Sequence, residues 1–260
     1  MPTPRCSAVS LLLSVLTLAA TGTSHAATLS KLQKSGVVKL GYTTNTPGLV
    51  TQENGAIAGF AVEFMNLAVK EMKIKSTAWR KTTTTDALLT ALNAGTLDAV
   101  IDVNLPQVLA DGEQAASLAC TGGVMFSRPG GPKTEAGLKN ARIAISTDHP
   151  YFHYVRNLPF EKKINAAPNS NQALLDFLGG SADVLLLDRF DALKMYAKLG
   201  PEKLQVSPLL WSQPVAVVVA NGSDKQFEAA LNAAIKRLQA NGTYERLSKK
   251  YFTQDVRCTS

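Results

Sequence analysis

Asp102, Asp148, Asp188, His149 and His153 are the side chains in this sequence best placed to bind a ligand or exchange a proton. Asp188 closes the apolar run Val184-Leu-Leu-Leu187, and Asp102 closes Ala99-Val-Ile101. Such unbroken runs fit parallel strands covered on both faces. In open α/β sheets, ligands bind beyond the carboxyl ends of the strands, which is where both carboxylates stand. Asp148 follows a third strand candidate that ends at Ser146. Three acids facing one site would favour a cationic or polyhydroxylated ligand. A purely structural alternative stays open: Asp188 can cap a helix that starts near Phe190, and Asp102 can be a solvated loop acid. His149 and His153 lie four apart, a spacing that on a helix could hold a metal with Asp148 beside it. No complete metal motif surrounds them, so a solvated face or a loop cap is expected and no metal site is assigned. No Gly-x-Ser-x-Gly, P-loop or paired-cysteine motif occurs, and nothing pairs a nucleophile with a base. The expectation is a protein that is not an enzyme and needs no cofactor.

Two related units would position these acids. In Asn171–Asp188, a helix with Leu174, Leu175 and Leu178 on one face is ended by Gly179-Gly180, and the strand and Asp188 follow. Residues Ala87–Asp102 repeat helix, glycine, Asp98 and buried strand. The pair predicts two α/β lobes, with the ligand in the cleft between them. Around the units, strands are expected over 37–43, 76–79, 122–126 and 214–220, and an amphipathic helix over 224–240. Pro129-Gly-Gly-Pro132 reads as the crossing into the second lobe. The expected division is 27–127 with 211–260 as lobe one and 128–210 as lobe two.

The chain has 260 residues, 45% hydrophobic and 18% charged, with a net charge of +7. That composition fits a globular chain long enough for two cores. The basic residues are scattered and do not interleave with aromatics, which excludes a nucleic-acid stripe. Arg5, the short apolar run Ala8–Ala20 and Ser24-His-Ala26 read as a signal peptide over residues 1–26, too short to span a bilayer. Export leaves Cys120 and Cys258. An even count in an oxidising compartment favours a disulfide; two free thiols are the alternative.

Several motifs then occur in a specific order. They are Gly36-Val-Val-Lys-Leu-Gly41, Gly55-Ala-Ile-Ala-Gly-Phe-Ala-Val62, Leu88–Asp98, Leu138–Ile145, Gly180–Asp188 and Asn241–Phe252. In that order the chain resembles the extracellular solute-binding proteins of family three, the polar amino-acid receptors of ABC importers. The resemblance implies a type II periplasmic-binding-protein clamp, each lobe a mostly parallel sheet flanked by helices. It implies a periplasmic monomer that captures a small polar ligand and docks on a membrane permease. Residue by residue, Asp188 matches the acid that binds the ligand ammonium. Thr46 and Thr85 stand where the family often has aromatic residues, and Thr147-Asp148-His149 replaces its glycine-threonine anion loop. Asn104 lies in the loop after Asp102 and joins the candidate ligand set. The arginine that grips an amino-acid carboxylate has no counterpart, its position reading as Ala110. These departures favour a cationic or polyhydroxylated ligand over an α-amino acid. They also keep a second reading open, a clamp serving as sensor, accessory factor or repurposed enzyme.

Overall fold

The computed structural model describes residues 28–43, 46–102, 114–149, 151–200, 202–220 and 224–258. The expected signal peptide, Asn104 and Ala110 lie outside these residues. One five-stranded sheet holds β1 (Val37–Tyr42), β4 (Ser76–Lys81), β5 (Ala99–Asp102), β6 (Gln114–Thr121) and β12 (Gln213–Val219), in the order β4-β1-β5-β12-β6. A second holds β7 (Gly123–Ser127), β8 (Arg142–Ser146), β9 (Lys163–Ala167), β10 (Val184–Asp188) and β11 (Gln205–Val206), in the order β11-β7-β10-β8-β9. Strands β4, β1 and β5 run parallel, as do β10, β8 and β9. Strands β2 (Thr51–Glu53) and β3 (Ala56–Ala58) form a hairpin whose turn needs positive φ at Asn54 and Gly55.

The repeat seen in the sequence has an atomic basis. Asp98 and Asp183 precede β5 and β10 at equivalent positions. The Lys39 amide donates to the Asp98 carboxylate at 2.7 Å, and the Asp98 amide donates to the Lys39 carbonyl at 2.8 Å. The Arg142 amide donates to Asp183 at 2.9 Å, and the Asp183 amide returns to the Arg142 carbonyl at 2.8 Å. In each sheet one aspartate therefore buckles the start of a strand to its parallel neighbour.

The lobe-one helices are α1 (Leu29–Ser35), α2 (Phe60–Glu71), α3 (Thr85–Asn93), α7 (Lys225–Ala240) and α8 (Thr243–Phe252). Helices α2 and α8 meet in an aromatic cluster in which Phe60 and Phe64 lie against Tyr244, and Phe60 against Phe252, while α3 packs separately through Leu88, Ala91 and Leu92. Phe227, Leu231, Ile235 and Leu238 of α7 are all buried, as the helical spacing predicts. The lobe-two helices are α4 (Phe152–Arg156), α5 (Ser170–Leu178) and α6 (Arg189–Leu199). Helix α5 buries Ala173 and Phe177, whereas Leu175 and Leu178 are 60% and 46% exposed. Of the leucine face expected to be buried, Leu174 is half-buried against the lobe-two core, whereas Leu175 and Leu178 are turned outward. Phe177 packs at a tilt against Phe126 and Arg128 lies over its ring, so the aromatic side chain sets the rotation of the helix.

The passage between lobes also differs from the expected division. Residues 123–127 pair with β10 and β11, so this strand belongs to the second sheet and the first crossing falls at 121–123. The 129–132 segment is a turn inside lobe two, closed by the Gly131 amide on the Arg128 carbonyl. The return crossing runs antiparallel beside the first: the Leu210 amide bonds Gly123, and Gln213 pairs with Thr121.

Candidate functional site

The register of the sheets determines what faces what. Ala216 of β12 aligns with Asp102, so the crossing chains leave sheet one at the carboxyl ends of its parallel strands. Gly123 of β7 aligns with Asp188, so they enter sheet two at the carboxyl ends of its parallel strands. The two sets of strand ends therefore border one cleft, spanned by 121–123 and 210–213. Ligand sites in α/β sheets occur at strand ends of this kind.

Asp188 sits where the two crossings meet lobe two. It is the N-cap of α6 and accepts from the Phe190 amide at 2.8 Å. Thr121, buried at the end of β6, donates its hydroxyl to Asp188 at 2.6 Å from Oδ2 and 2.7 Å from Oδ1. The Tyr151 hydroxyl donates at 3.1 Å. Burial, then the Asp188 charge, holds the Tyr151 phenol protonated far above its ordinary range. The helix-capping alternative for Asp188 is thus realised, together with a bond across the lobes.

The other candidates line the same edges. Asp102 is buried at the end of β5 and accepts from the amide and hydroxyl of Thr43, so it is not a solvated loop acid. Thr46 bridges Val50 in the turn after β1, and Thr85 opens α3 one residue after the N-cap Thr84. Thr147 and Asp148 are exposed beyond β8, and Ser146 donates to the Asp148 carboxylate. His149 precedes α4, so it does not share a helix face with the exposed His153. Its ring packs 4.6 Å from Tyr151, and its Nδ1 accepts from the Tyr151 amide. Burial pushes the His149 imidazole below its usual range, against the opposing pull of Asp188 and Asp148. Among the described residues, no group of three His, Cys, Asp or Glu could hold a metal. Cys120 and Cys258 form a disulfide that ties the C-terminal tail to β6.

Reading the sequence missed several side chains at this edge. Trp211, on the return crossing, packs 4.5 Å from Tyr151 and 4.0 Å from Tyr154. Its ring fills the space over Gly123, where an added Cβ would lie 2.0 Å from it. Asp191, in the first turn of α6, is raised from 3.8 to about 6 by burial and by Asp188. Its carboxylate makes no hydrogen bond among the described residues. Asp191 and His149 border a cavity of 240 Å³ between β8, β10, α5 and α6. Arg189 donates to the carbonyls of Cys120 and Asp255, fixing the start of α6 to lobe one. Only the Gly122-Gly123 pair hinted at such a crossing in the sequence.

Among solved structures, the chain is similar to the L-cystine solute receptor of Neisseria gonorrhoeae in its unliganded open conformation. The TM-score is 0.75 at 19% identity, over 90% of this chain and all of that one. Among curated proteins it is similar to the L-cystine-binding protein TcyJ of Escherichia coli (strain K12), 25% identical over 88% of this chain and 87% of that protein. It is also similar to the L-arginine-binding protein of Pseudomonas aeruginosa, 25% identical over 78% and 82% of the two chains. Residues 38–254 match the model of the bacterial extracellular solute-binding proteins, family 3. With two α/β lobes joined by two crossings and that match over most of its length, the chain belongs to the extracellular solute-binding proteins of family 3.

Proposed function

We propose that this protein captures a small, positively charged polar molecule in the interlobe cleft and hands it unchanged to the permease of an ABC importer. It does so as a periplasmic monomer, after loss of residues 1–26. The ligand sits between Thr46 and Thr85 of lobe one and Thr147, Asp148 and Asp188 of lobe two, with Asp102 bracing the first strand end from behind. The observation that carries this reading is the convergence of both sets of strand ends on one cleft with acidic groups along it: Asp148, Asp188 and Asp191 in lobe two and Asp102 in lobe one. Family membership supports the capture of a solute. The two curated relatives are named for L-cystine and L-arginine; both ligands carry ammonium groups, which supports an amine-bearing ligand, and both also carry an α-carboxylate. Arg189, the guanidinium named at this edge, is committed to the Cys120 and Asp255 carbonyls and does not offer a carboxylate a two-pronged grip, which favours cations over α-amino acids.

A thermal-shift screen of the purified protein against amino acids, polyamines, sugars and carboxylates tests the reading. A ligand that binds the native state alone raises the melting temperature, by about 2.7 kcal/mol of stabilisation at a hundredfold excess over Kd. Amines are expected to give the shift, and Asp148→Asn, at an exposed side chain, is expected to reduce it without unfolding the protein. A folded protein that responds to no class would overturn the reading.

A further inference from the structure

The cleft acids named above are not equally available to a ligand. Asp188 already accepts from Phe190, Thr121 and Tyr151; Asp102 accepts from Thr43; Asp148 accepts from Ser146. Asp191 differs. It is half-buried, has no hydrogen-bond donor among the described residues, and opens onto the 240 Å³ cavity of lobe two. Asp191 supplies the one carboxylate on its wall; Leu174, Leu187 and Met195 form its apolar side, Ser146 and His149 a polar side, and exposed Ser170 and Asn171 stand at its rim. It borders the cleft edge through Ser146 and His149. At about 30 Å³ per water-sized group, its volume holds roughly eight such groups, enough for a short alkyl chain and its head.

We infer that this cavity is the seat for an aliphatic ammonium group, with the Asp191 carboxylate as its charge partner and Leu174, Leu187 and Met195 around its methylenes. The inference rests on the proposed capture of a cation and says where the charged end goes. The charges around Asp191 act in both directions: Asp188 favours a bound cation, and Lys194 partly offsets it. Asp188 from β10 faces it on one side, and Lys194 on its own helix lies on the solvent side, exposed. His149, the titratable group from the β8–α4 segment on the cavity wall, is held neutral by burial and does not compete with a cation. Asp148 from the same segment adds negative charge near His149. The α5 residues on the wall, Ser170, Asn171, Ala173 and Leu174, carry no charge.

Isothermal titration with n-pentylamine, 1,5-diaminopentane and 1-pentanol tests this, on wild type, Asp191→Asn and Leu174→Phe. Both amines are expected to bind wild type and pentanol to bind at least tenfold more weakly. Asp191→Asn should weaken both amines at least tenfold and leave pentanol unchanged. Leu174→Phe, which narrows the cavity, should weaken all three. Equal amine affinity in wild type and Asp191→Asn would overturn the inference while leaving capture in the cleft intact. So would failure of wild type to bind either amine when another compound class binds. A protein that binds nothing in any class would sink both.

Discussion

Asp188 accepts from an amide of its own helix, a hydroxyl on the crossing strand and a phenol beyond β8. The Thr121 hydroxyl has a single proton and serves one carboxylate oxygen at a time, but it is buried, and its partner is charged. Thr121→Val keeps the shape and removes the donor, so it is expected to lower stability by about 2 kcal/mol in urea unfolding. An unchanged midpoint would mean that Thr121 and Asp188 are not bonded in solution. Asp191 gives a prediction of opposite sign. Its carboxyl titrates near 6 in the folded protein and at 3.8 ordinarily. The unfolded chain therefore releases this proton first as pH rises, and the folded state loses stability between about pH 4 and pH 6. Asp191→Asn removes that penalty. It is expected to raise stability by roughly 1 kcal/mol at pH 7.5, after allowance for partial exposure, with the gap closing below pH 4. Acids shifted this far cluster at binding and catalytic sites. Asp188 was legible from its place after an apolar run. Asp191, Tyr151 and Thr121 were not, because their importance comes from being brought together across 70 residues of chain rather than from any local pattern.

At the scale of elements, the crossing strands carry the more demanding geometry. Gly122 has φ +139°, and a Cβ on it would lie 2.1 Å from the Trp211 carbonyl oxygen. Gly123 has the Trp211 ring where its side chain would be. Gly123→Ala is expected to displace Trp211 from Tyr151 and Tyr154, shift Trp fluorescence to the red and destabilise the protein by about 1–3 kcal/mol. Gly130→Ala, with open space around its Cβ position but positive φ, serves as a control without the fluorescence change. Element existence and type could be read from periodicity because the helix-glycine-aspartate-strand unit occurs twice with the same local pattern of apolar residues and glycine. Strand β6 and the true crossing could not be read. Gln114–Thr121 mixes small and polar residues without alternation, and its pairing is set by β12, about a hundred residues later. The outward Leu175 and Leu178 of α5 show the same limit: spacing identified a helix, while a single phenylalanine decided which way it turned.

At the scale of the whole molecule, three ties besides the crossings shape how the lobes can move. Arg189 reaches the Cys120 and Asp255 carbonyls, Phe190 stacks 4.8 Å from Phe252, and the disulfide anchors the tail that carries Asp255. The start of α6 therefore belongs mechanically to lobe one, and lobe two is expected to rotate about it together with 121–123 and 210–213. Replacing Cys120 and Cys258 together by serine is expected to lower stability by about 2–5 kcal/mol, since the bond closes a loop of 138 residues in the unfolded chain. Calorimetry of the oxidised and serine forms measures it directly, and equal melting temperatures would mean the tail is held without the bond. The central claim is that the two lobes close on a solute between them. Small-angle X-ray scattering of the protein, alone and saturated with the compound giving the largest thermal shift, tests that claim most directly. A smaller radius of gyration is expected in the bound form, with the Gly123→Ala variant responding less. A bound protein with the radius of gyration of the free one would contradict capture by closure.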